Sequence, residues 1–386
     1  MGLIIFIYCG LAILLSFFYG YLIIFFNRGW DRQKPWPLAA SPFQTSVSII
    51  IPARNEENNI LSCLGAVLAQ KYPPHLLEII IVDDHSTDTT AELIENHPSS
   101  VPKLIKMADL PKQETVNAHK KKALETGIKV AKGDLIVTTD ADCVMGEYWI
   151  ATIVSGYEAH QYKIIAAPVI FHHAQSIFEK FQSLDFLGMM GVTGAGIETQ
   201  SIHMANGANL AFEKQAFEAI DGYGGIDQIA SGDDMMLMQK MAKAFPGKIG
   251  FVNDPQGATY TKPEPSLTTF FRQRIRWATK TGSYNDQKIT YTWAMVWMYC
   301  LCILSGFVLS LIFGWPAFFI FMFTLITKSW FDYQFLGRTA RFFQRRDLVK
   351  PLIFLPSIFL EIIYVVVIGL LGLVIKEYEW KGRKVK

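Results

Sequence analysis

Residues 79–90 read IIIVDDHSTDTT, a β-branched apolar run that stops at Asp83 and Asp84 and passes into a turn of small polar residues. A short apolar run closed by turn residues is the pattern of a buried strand, here Glu78 to Val82. Upstream, Val47 to Ile51 repeats it and ends at Pro52. Between the two, Ile60, Leu61, Leu64, Val67 and Leu68 recur at helical spacing, with Glu56 and Glu57 suited to the positive end of a helix dipole. The unit is strand, helix, strand. Downstream, a helical stretch from Ala118 to Lys132 leads to a third apolar run, Leu135 to Thr139, which also ends in acids, Asp140 and Asp142. The expected fold is α/β, an open Rossmann-like mixed sheet with helices on both faces. Its acids would gather at the carboxyl edge, where such sheets bind ligands.

The flanks are of another kind. The chain has 386 residues, 51% of them hydrophobic and 18% charged, with mean hydropathy +0.23. Much of the excess lies in Gly2 to Phe26, Thr290 to Trp315 and Pro351 to Ile375, where Glu361 is the sole charge. Each meets the roughly 20 residues needed to cross a bilayer. An integral membrane protein is expected, and a soluble enzyme, a disordered regulator and a disulfide-rich secreted domain are excluded. The first stretch reads as an uncleaved anchor (residues 1–27), and Arg28, Arg32 and Lys34 behind it put the long polar stretch on the cytoplasmic side. Residues 290–376 hold two or three further spans, because Pro316 to Thr327 is short and ends at Lys328. The last apolar stretch lies between the basic loop of Arg338, Arg341, Arg345, Arg346 and Lys350 and the basic tail 377–386. With Pro356 and Glu361 inside it, a re-entrant hairpin or a tilted surface helix is open, as is a Glu361 simply paired with a neighbouring helix. A formal charge of +2 gives no case for nucleic acid, and five cysteines without C-x-x-C spacing read as reduced.

The polar stretch between the flanks holds the candidate chemistry. Asp140 and Asp142, two apart after a strand, suit Mg²⁺ or Mn²⁺, which take oxygen ligands and bridge to phosphates. D-x-D also occurs often by chance, but the position of this pair at a strand end favours the functional reading. SGDDMML places Asp233 and Asp234 before an apolar run, as a general base or as an ordinary helix cap, and Gly207 in GANLAF would let backbone approach a ligand closely. In FFRQRIRW, Gln273, Arg276 and Trp277 stand at i, i+3 and i+4 on one helix face. Leu267, Phe270, Phe271 and Ile275 would lay that helix on the membrane surface. A guanidinium for pyrophosphate and an indole for a sugar ring are the sharper reading.

Taken together, IIIPARNEE, IVDDHSTD, TTDAD, SGDD and QRIRW resemble, in order and spacing, the motifs of glycosyltransferase family 2. These are inverting enzymes of the GT-A fold that include cellulose, hyaluronan and poly-N-acetylglucosamine synthases and ceramide glucosyltransferase. The likeness covers about Ser46 to Trp277 and implies residue roles. Pro52, Arg54, Glu56, Asp83 and Asp84 would surround the uridine, with Lys120 near the nucleotide. Asp140 and Asp142 would be the D-x-D, Asp142 foremost as metal ligand. Asp234 would be the catalytic base, Asp233 taking that role if the register slips by one, and Gln273, Arg276 and Trp277 would close over pyrophosphate and acceptor. Arg54 departs from the tyrosine often found there. On this likeness residues 45–285 form the catalytic domain. It would comprise a nucleotide-sugar half (45–145), an acceptor half (146–264) and an interfacial helix (265–285). The implied function is transfer of a sugar from a nucleotide-sugar, a UDP-sugar, with a divalent metal, at the cytoplasmic face of a bacterial inner membrane. The favoured acceptor is a lipid, suggested by few spans and a W-x-G-R tail. A processive polysaccharide synthase and a non-catalytic scaffold are the alternatives.

Overall fold

The computed structural model describes residues 2–37, 42–111, 118–227, 229, 232–279, 286–375, 378–380 and 383–385. The elements run α1 (Gly2–Arg32), β1 (Val47–Ala53), α2 (Ile60–Leu68), β2 (Leu77–Asp83), α3 (Thr90–Glu95), β3 (Pro102–Lys106), α4 (His119–Val130) and β4 (Leu135–Thr138). Then come β5 (Val144–Met145), α5 (Trp149–His160), β6 (Ile164–Ala166), β7 (Val169–Phe171), α6 (Ile177–Glu198), β8 (Leu210–Glu213), α7 (Lys214–Ala219) and α8 (Asp233–Ala244). The remainder is β9 (Ile249–Phe251), β10 (Thr259–Thr261), α9 (Leu267–Ala278), α10 (Gln287–Phe313), α11 (Trp315–Phe342), α12 (Pro351–Val374), β11 (Tyr378–Trp380) and β12 (Arg383–Val385). They divide into two compact units: residues 1–32, 173–202 and 263–376 form one, and residues 33–172, 203–262 and 377–386 the other.

The second unit is built on a seven-stranded sheet in the order β3-β2-β1-β4-β8-β6-β9. β1 pairs in parallel with β2 and β4, while β8 runs antiparallel to β4 and β6, so the sheet is mixed. β1 reads VSIIIPA and is buried along almost its whole length, as a strand covered on both faces must be. Because side chains alternate, Ile49, Ile51, Ile79 and Ile81 pack with Cys63, Leu64 and Val67 of α2 and with Trp149, Ile150 and Val154 of α5. Ile50 and Val82 face the other way, onto α4. A Cβ on Gly127 of that helix would come within 2.7 Å of Ile50 and 3.1 Å of Val82, so the helix lies on the sheet as closely as glycine permits. β5, β10 and β7 form a second, three-stranded sheet.

The first unit is a bundle of helices. α1, α10 and α12 are each long and apolar enough to cross a membrane. α11 is as long, 28 residues, and runs unbroken through Lys328, where the sequence left a further span open. The Lys328 ammonium is fully buried, 2.6 Å from Asp332 and 3.0 Å from Glu361 of α12, with the Tyr19 hydroxyl of α1 at 3.2 Å. Mutual pairing is what makes intramembrane charge tolerable, and here it joins three helices. α12 is continuous from Pro351 to Val374 despite Pro356. Glu361 therefore sits in a helix and has the neighbouring-helix partner that the sequence left as one option.

α6 lies within the stretch expected as the acceptor half (146–264) and groups with the helical unit. Its glycines explain the packing: a Cβ on Gly191 would meet Thr339 at 2.4 Å and Phe335 at 2.9 Å, and one on Gly188 would meet Leu336 at 2.9 Å. Small residues let α6 and α11 approach closely, as in membrane bundles. α9 is likewise no free surface helix. Phe270 is buried against Phe178 and Phe181 of α6 and Tyr364 of α12, while Leu267 of the expected apolar stripe is exposed. Residues 280–285 of the expected interfacial helix, and Lys381, Gly382 and Lys386 of the basic tail, lie outside the described residues. All five cysteines are unpaired thiols.

Candidate active site

The loops after β1 and β2 are fastened to each other. Asn55 and His85 take left-handed backbone angles, φ 51° and 58°. The Ser86 hydroxyl accepts from the Asn55 N–H at 3.0 Å, and the Asn55 side-chain oxygen accepts from the Thr87 N–H at 2.8 Å. Arg54 donates through Nη1 to the carbonyls of Asp84 and His85, at 2.8 and 2.9 Å. The arginine that stands where the resembled family often has tyrosine thus braces the second loop. The Glu56 N–H donates to the Thr90 hydroxyl at 2.7 Å, and its carboxylate accepts from Asn59 at 2.9 Å. Pro52 pairs with Val82 in the ladder.

Asp83 and Asp84 are both 3% exposed at the carboxyl end of β2. Asp84 meets the His85 ring at 3.0 Å and that of His119, at the start of α4, at 3.9 Å. Neither histidine was singled out from the sequence, since each stands beside a stronger motif. Asp83 takes the Ser86 N–H on one oxygen, and its other oxygen is buried without a hydrogen-bond partner. A buried acceptor left open costs free energy, so Asp83 is a site where a donor on a ligand would be welcome.

A denser cluster forms where β4, α4, the Gly207 turn and α8 converge. Lys120 lies 2.6 Å from Asp140 and 3.8 Å from Asp233. Burial works against its ammonium, but the carboxylates of Asp140 and Asp233 outweigh it and hold the amine above the usual lysine range. Asp234 accepts the Gly207 N–H at 2.9 Å and the Met235 N–H at 2.7 Å. Burial, and then Asp233, push its carboxyl above the ordinary range, against the pull of Lys120 and of those two N–H groups. Asp233 does not cap α8 from outside. The cap is Gly232, at φ 72°, and both aspartates are in the first turn. Thr138 at the end of β4 donates to the Gly207 carbonyl at 2.9 Å, fixing the turn against the strand. Lys121, next to Lys120 in the HKKK run, is 2% exposed and donates to the carbonyls of Ile226 and Ile229, bracing the loop before α8.

Asp142 is exposed, with the Thr261 hydroxyl 3.3 Å from its carboxylate. Among the described residues no group of three or more His, Cys, Asp or Glu side chains forms a metal cage. Asp140 and Asp142 are a two-carboxylate donor set of hard oxygens. That suits a cation such as Mg²⁺, which takes its remaining ligands from water and phosphate.

Gln273, Arg276 and Trp277 are carried by the helical unit, on one face of α9. Gln273 donates to Glu264 at 2.9 Å, and its amide oxygen is buried without a partner. The Trp277 ring lies against Phe186, centroids 6.0 Å apart.

The family model described as "Glycosyl transferase family group 2" matches residues 135–331, a little over half of the chain, and "Glycosyl transferase family 2" matches residues 48–221. The chain belongs to glycosyltransferase family 2. It is a transferase enzyme, and its mixed sheet with flanking helices is the GT-A arrangement. This family 2 glycosyltransferase is 27% identical over 241 residues (60% of its length, 54% of the relative) to "Probable glycosyltransferase YdaM" of Bacillus subtilis. It is 26% identical over 238 residues (60% of its length, 53% of the relative) to the poly-beta-1,6-N-acetyl-D-glucosamine synthase of Staphylococcus epidermidis. The chain spans about half the length of these curated relatives. In fold it is similar to the mannosyltransferase PcManGT from Pyrobaculum calidifontis, solved with GDP-Man and Mn²⁺. The TM-score is 0.61 at 18% identity, over 92% of this chain and 99% of that one.

Proposed function

We propose that this glycosyltransferase moves a sugar from a nucleotide-sugar, a UDP-sugar, to a lipid acceptor at the cytoplasmic face of a bacterial inner membrane. Residues 45–285 would be its catalytic part and the apolar helices its membrane part. The observation that carries the chemistry is Asp234, half-buried, held by two backbone N–H groups and shifted toward the pKa of a working base. In one in-line displacement Asp234 takes the proton of the acceptor hydroxyl as that oxygen bonds to the anomeric carbon. The bond from that carbon to the diphosphate oxygen breaks, the nucleoside diphosphate leaves with the electron pair, and the anomeric centre inverts. Asp233, the neighbouring carboxylate, lies 3.8 Å from the Lys120 amine. Asp83, with its open oxygen, Asp84, Pro52, Arg54 and Glu56 form the nucleoside end, and Lys120, Gln273, Arg276 and Trp277 attend the diphosphate and acceptor. Asp142 and Asp140 would hold a divalent metal, Mg²⁺ or Mn²⁺, which when bound offsets charge on the leaving diphosphate. The solved neighbour with GDP-Man and Mn²⁺ supports a donor and a metal of this kind.

For the acceptor, a largely apolar groove of about 390 Å³ between α11 and α12, walled by Leu325, Ile326, Trp330, Tyr333, Phe354 and Phe359 with Ser329 also in its lining, supports a lipid tail. Arg28 and Arg32 at the end of α1 and Lys34 just beyond it support the cytoplasmic placement. The named relative from Staphylococcus epidermidis supports a second reading, a processive polysaccharide synthase. The deciding experiment gives membranes bearing wild type or Asp234→Asn a panel of labelled nucleotide-sugars and partitions the product. Asp234-dependent label of low mass in the organic phase is expected. Label in an aqueous, glycosidase-sensitive polymer would establish the processive reading, and turnover by Asp234→Asn would remove the base assignment.

A further inference from the structure

α9 carries three arginines at steps of two, Arg272, Arg274 and Arg276, and two steps along a helix rotate the chain by about 200°, so Arg274 cannot share a face with either of the others. Arg276 stands with Gln273 and Trp277, and among the described residues no carboxylate pairs with it. Arg274 is 4% exposed and points into the bundle. Its Nη2 lies 2.6 Å from Asp185 of α6, and the other oxygen of Asp185 accepts the hydroxyl of Tyr364, from α12, at 2.5 Å. The guanidinium also lies over three rings: Trp277 at 4.5 Å, Phe270 at 4.9 Å and Tyr364 at 5.6 Å. Three helices therefore meet on one buried carboxylate, and one indole of the candidate site rests on the cation that binds them.

We propose that Arg274 is a positioning residue of the transfer reaction: through Asp185 and Tyr364 it sets the rotation of α9 and the tilt of the Trp277 ring, without touching donor or acceptor. This rests on the reading that Gln273, Arg276 and Trp277 meet the substrates. A lysine could supply the charge at Asp185 but neither the planar fork nor the stacking on indole and phenol. A buried ion pair is a weak source of net stability, since desolvation offsets much of its attraction, so geometry is its better-supported purpose.

The test separates folding from geometry. In Arg274→Met/Asp185→Asn both charges are gone and no lone buried ion remains, so membrane insertion and thermal unfolding in detergent should stay close to wild type. Turnover should fall about 10- to 100-fold, the range for misplacing a catalytic group by a fraction of an ångström to one ångström. KM for the nucleotide-sugar should hold within about twofold, whereas Arg276→Met should raise it. Arg274→Lys should lose turnover as well, and Tyr364→Phe, the mildest change, should lose less. The chain has nine tryptophans, so 5-fluorotryptophan labelling, with the Trp277 resonance assigned by its loss in Trp277→Phe, reads the ring directly by ¹⁹F NMR. That resonance should shift or broaden in the double variant. Unchanged turnover with an unmoved resonance overturns the proposal, as does a rise in donor KM matching that of Arg276→Met, which would mean direct contact. Should the double variant fail to fold, Arg274→Lys and Tyr364→Phe decide by the same two readouts. Turnover by Asp234→Asn would instead sink the site reading, and the fluorine signal would still decide whether Arg274 sets the indole.

Discussion

Gly207→Ala is the smallest change that tests the catalytic cluster. A Cβ built on Gly207 lies 3.2 Å from the Asp233 carboxylate, 3.4 Å from the Lys120 ammonium and 3.7 Å from Cβ of Asp234. The first contact is tighter than ordinary packing, so Asp233 or the Gly207 backbone must give by a few tenths of an ångström. Either movement is transmitted, because the Gly207 N–H holds Asp234 and the Gly207 carbonyl holds Thr138. The overpacking itself should cost about 1 kcal/mol of stability, too little to unfold the domain. The catalytic consequence is larger: a base displaced by part of an ångström from its near-attack geometry should lose about 10-fold or more in kcat. The nucleoside end is built from the β1 and β2 loops, so KM for the donor should stay within about twofold. The assay is initial rate against nucleotide-sugar concentration in membranes matched for protein level. A kcat within about twofold of wild type would refute the argument, since the carboxylates would then tolerate displacement and could not be the reacting groups.

Three further outcomes are expected. Because the Asp234 carboxyl is raised and must be ionised to accept a proton, kcat should fall with acidification through a pKa above that of a free aspartate, measured as the acid limb of the rate profile; a limb at the free-aspartate value would contradict the burial of the pair. Excess chelator should stop turnover and added Mg²⁺ or Mn²⁺ restore it, while full activity in chelator would mean that Lys120 and Arg276 suffice as counter-charges. Lys328→Met should leave Asp332 and Glu361 buried without their cation and lower stability by about 3–5 kcal/mol, seen as a drop in Tm in detergent; adding Asp332→Asn should recover part of it.

β1, β2 and β4 were legible because each is a short run rich in β-branched residues, and the acids of β2 and β4 because they end those runs; β3, PKLIK, carries no such run and was not read. Nor was the antiparallel half. β6 and β9 are three residues each and β8 four, too short to hold a period against their surroundings. α6 escaped for the opposite reason: it is apolar on most of its circumference and studded with glycines, so it read as part of a soluble domain. α11 was left open as a span because Lys328 and Asp332 interrupt its apolar run; their pairing one turn apart shows in the helix, and the approach of Glu361 from α12 is a property of the fold. Asp233, Asp234, Asp140 and Lys120 were each visible in sequence, but the pairing of Lys120 with Asp140 and Asp233 is a property of the fold. Arg274 was passed over because the neighbouring face of the same helix held the recognisable pattern.

The charge balance of the cluster bears on the metal. Asp140, Asp142, Asp233 and Asp234 bring four carboxylates to the end of β4 and the start of α8, with Lys120 the ammonium among them and Lys121 turned onto backbone carbonyls. One cation against four acids leaves the region negative even with the proton affinity of Asp234 raised. A nucleoside diphosphate is itself an anion, and like charges disfavour its approach most strongly in a partly buried site. A divalent cation on Asp140 and Asp142 would offset two of those negative charges. The proposed metal thus answers an electrostatic requirement of donor binding. Removing it should weaken donor binding more in low salt than in high salt if the loss is long-range attraction, and equally in both if it is direct ligation.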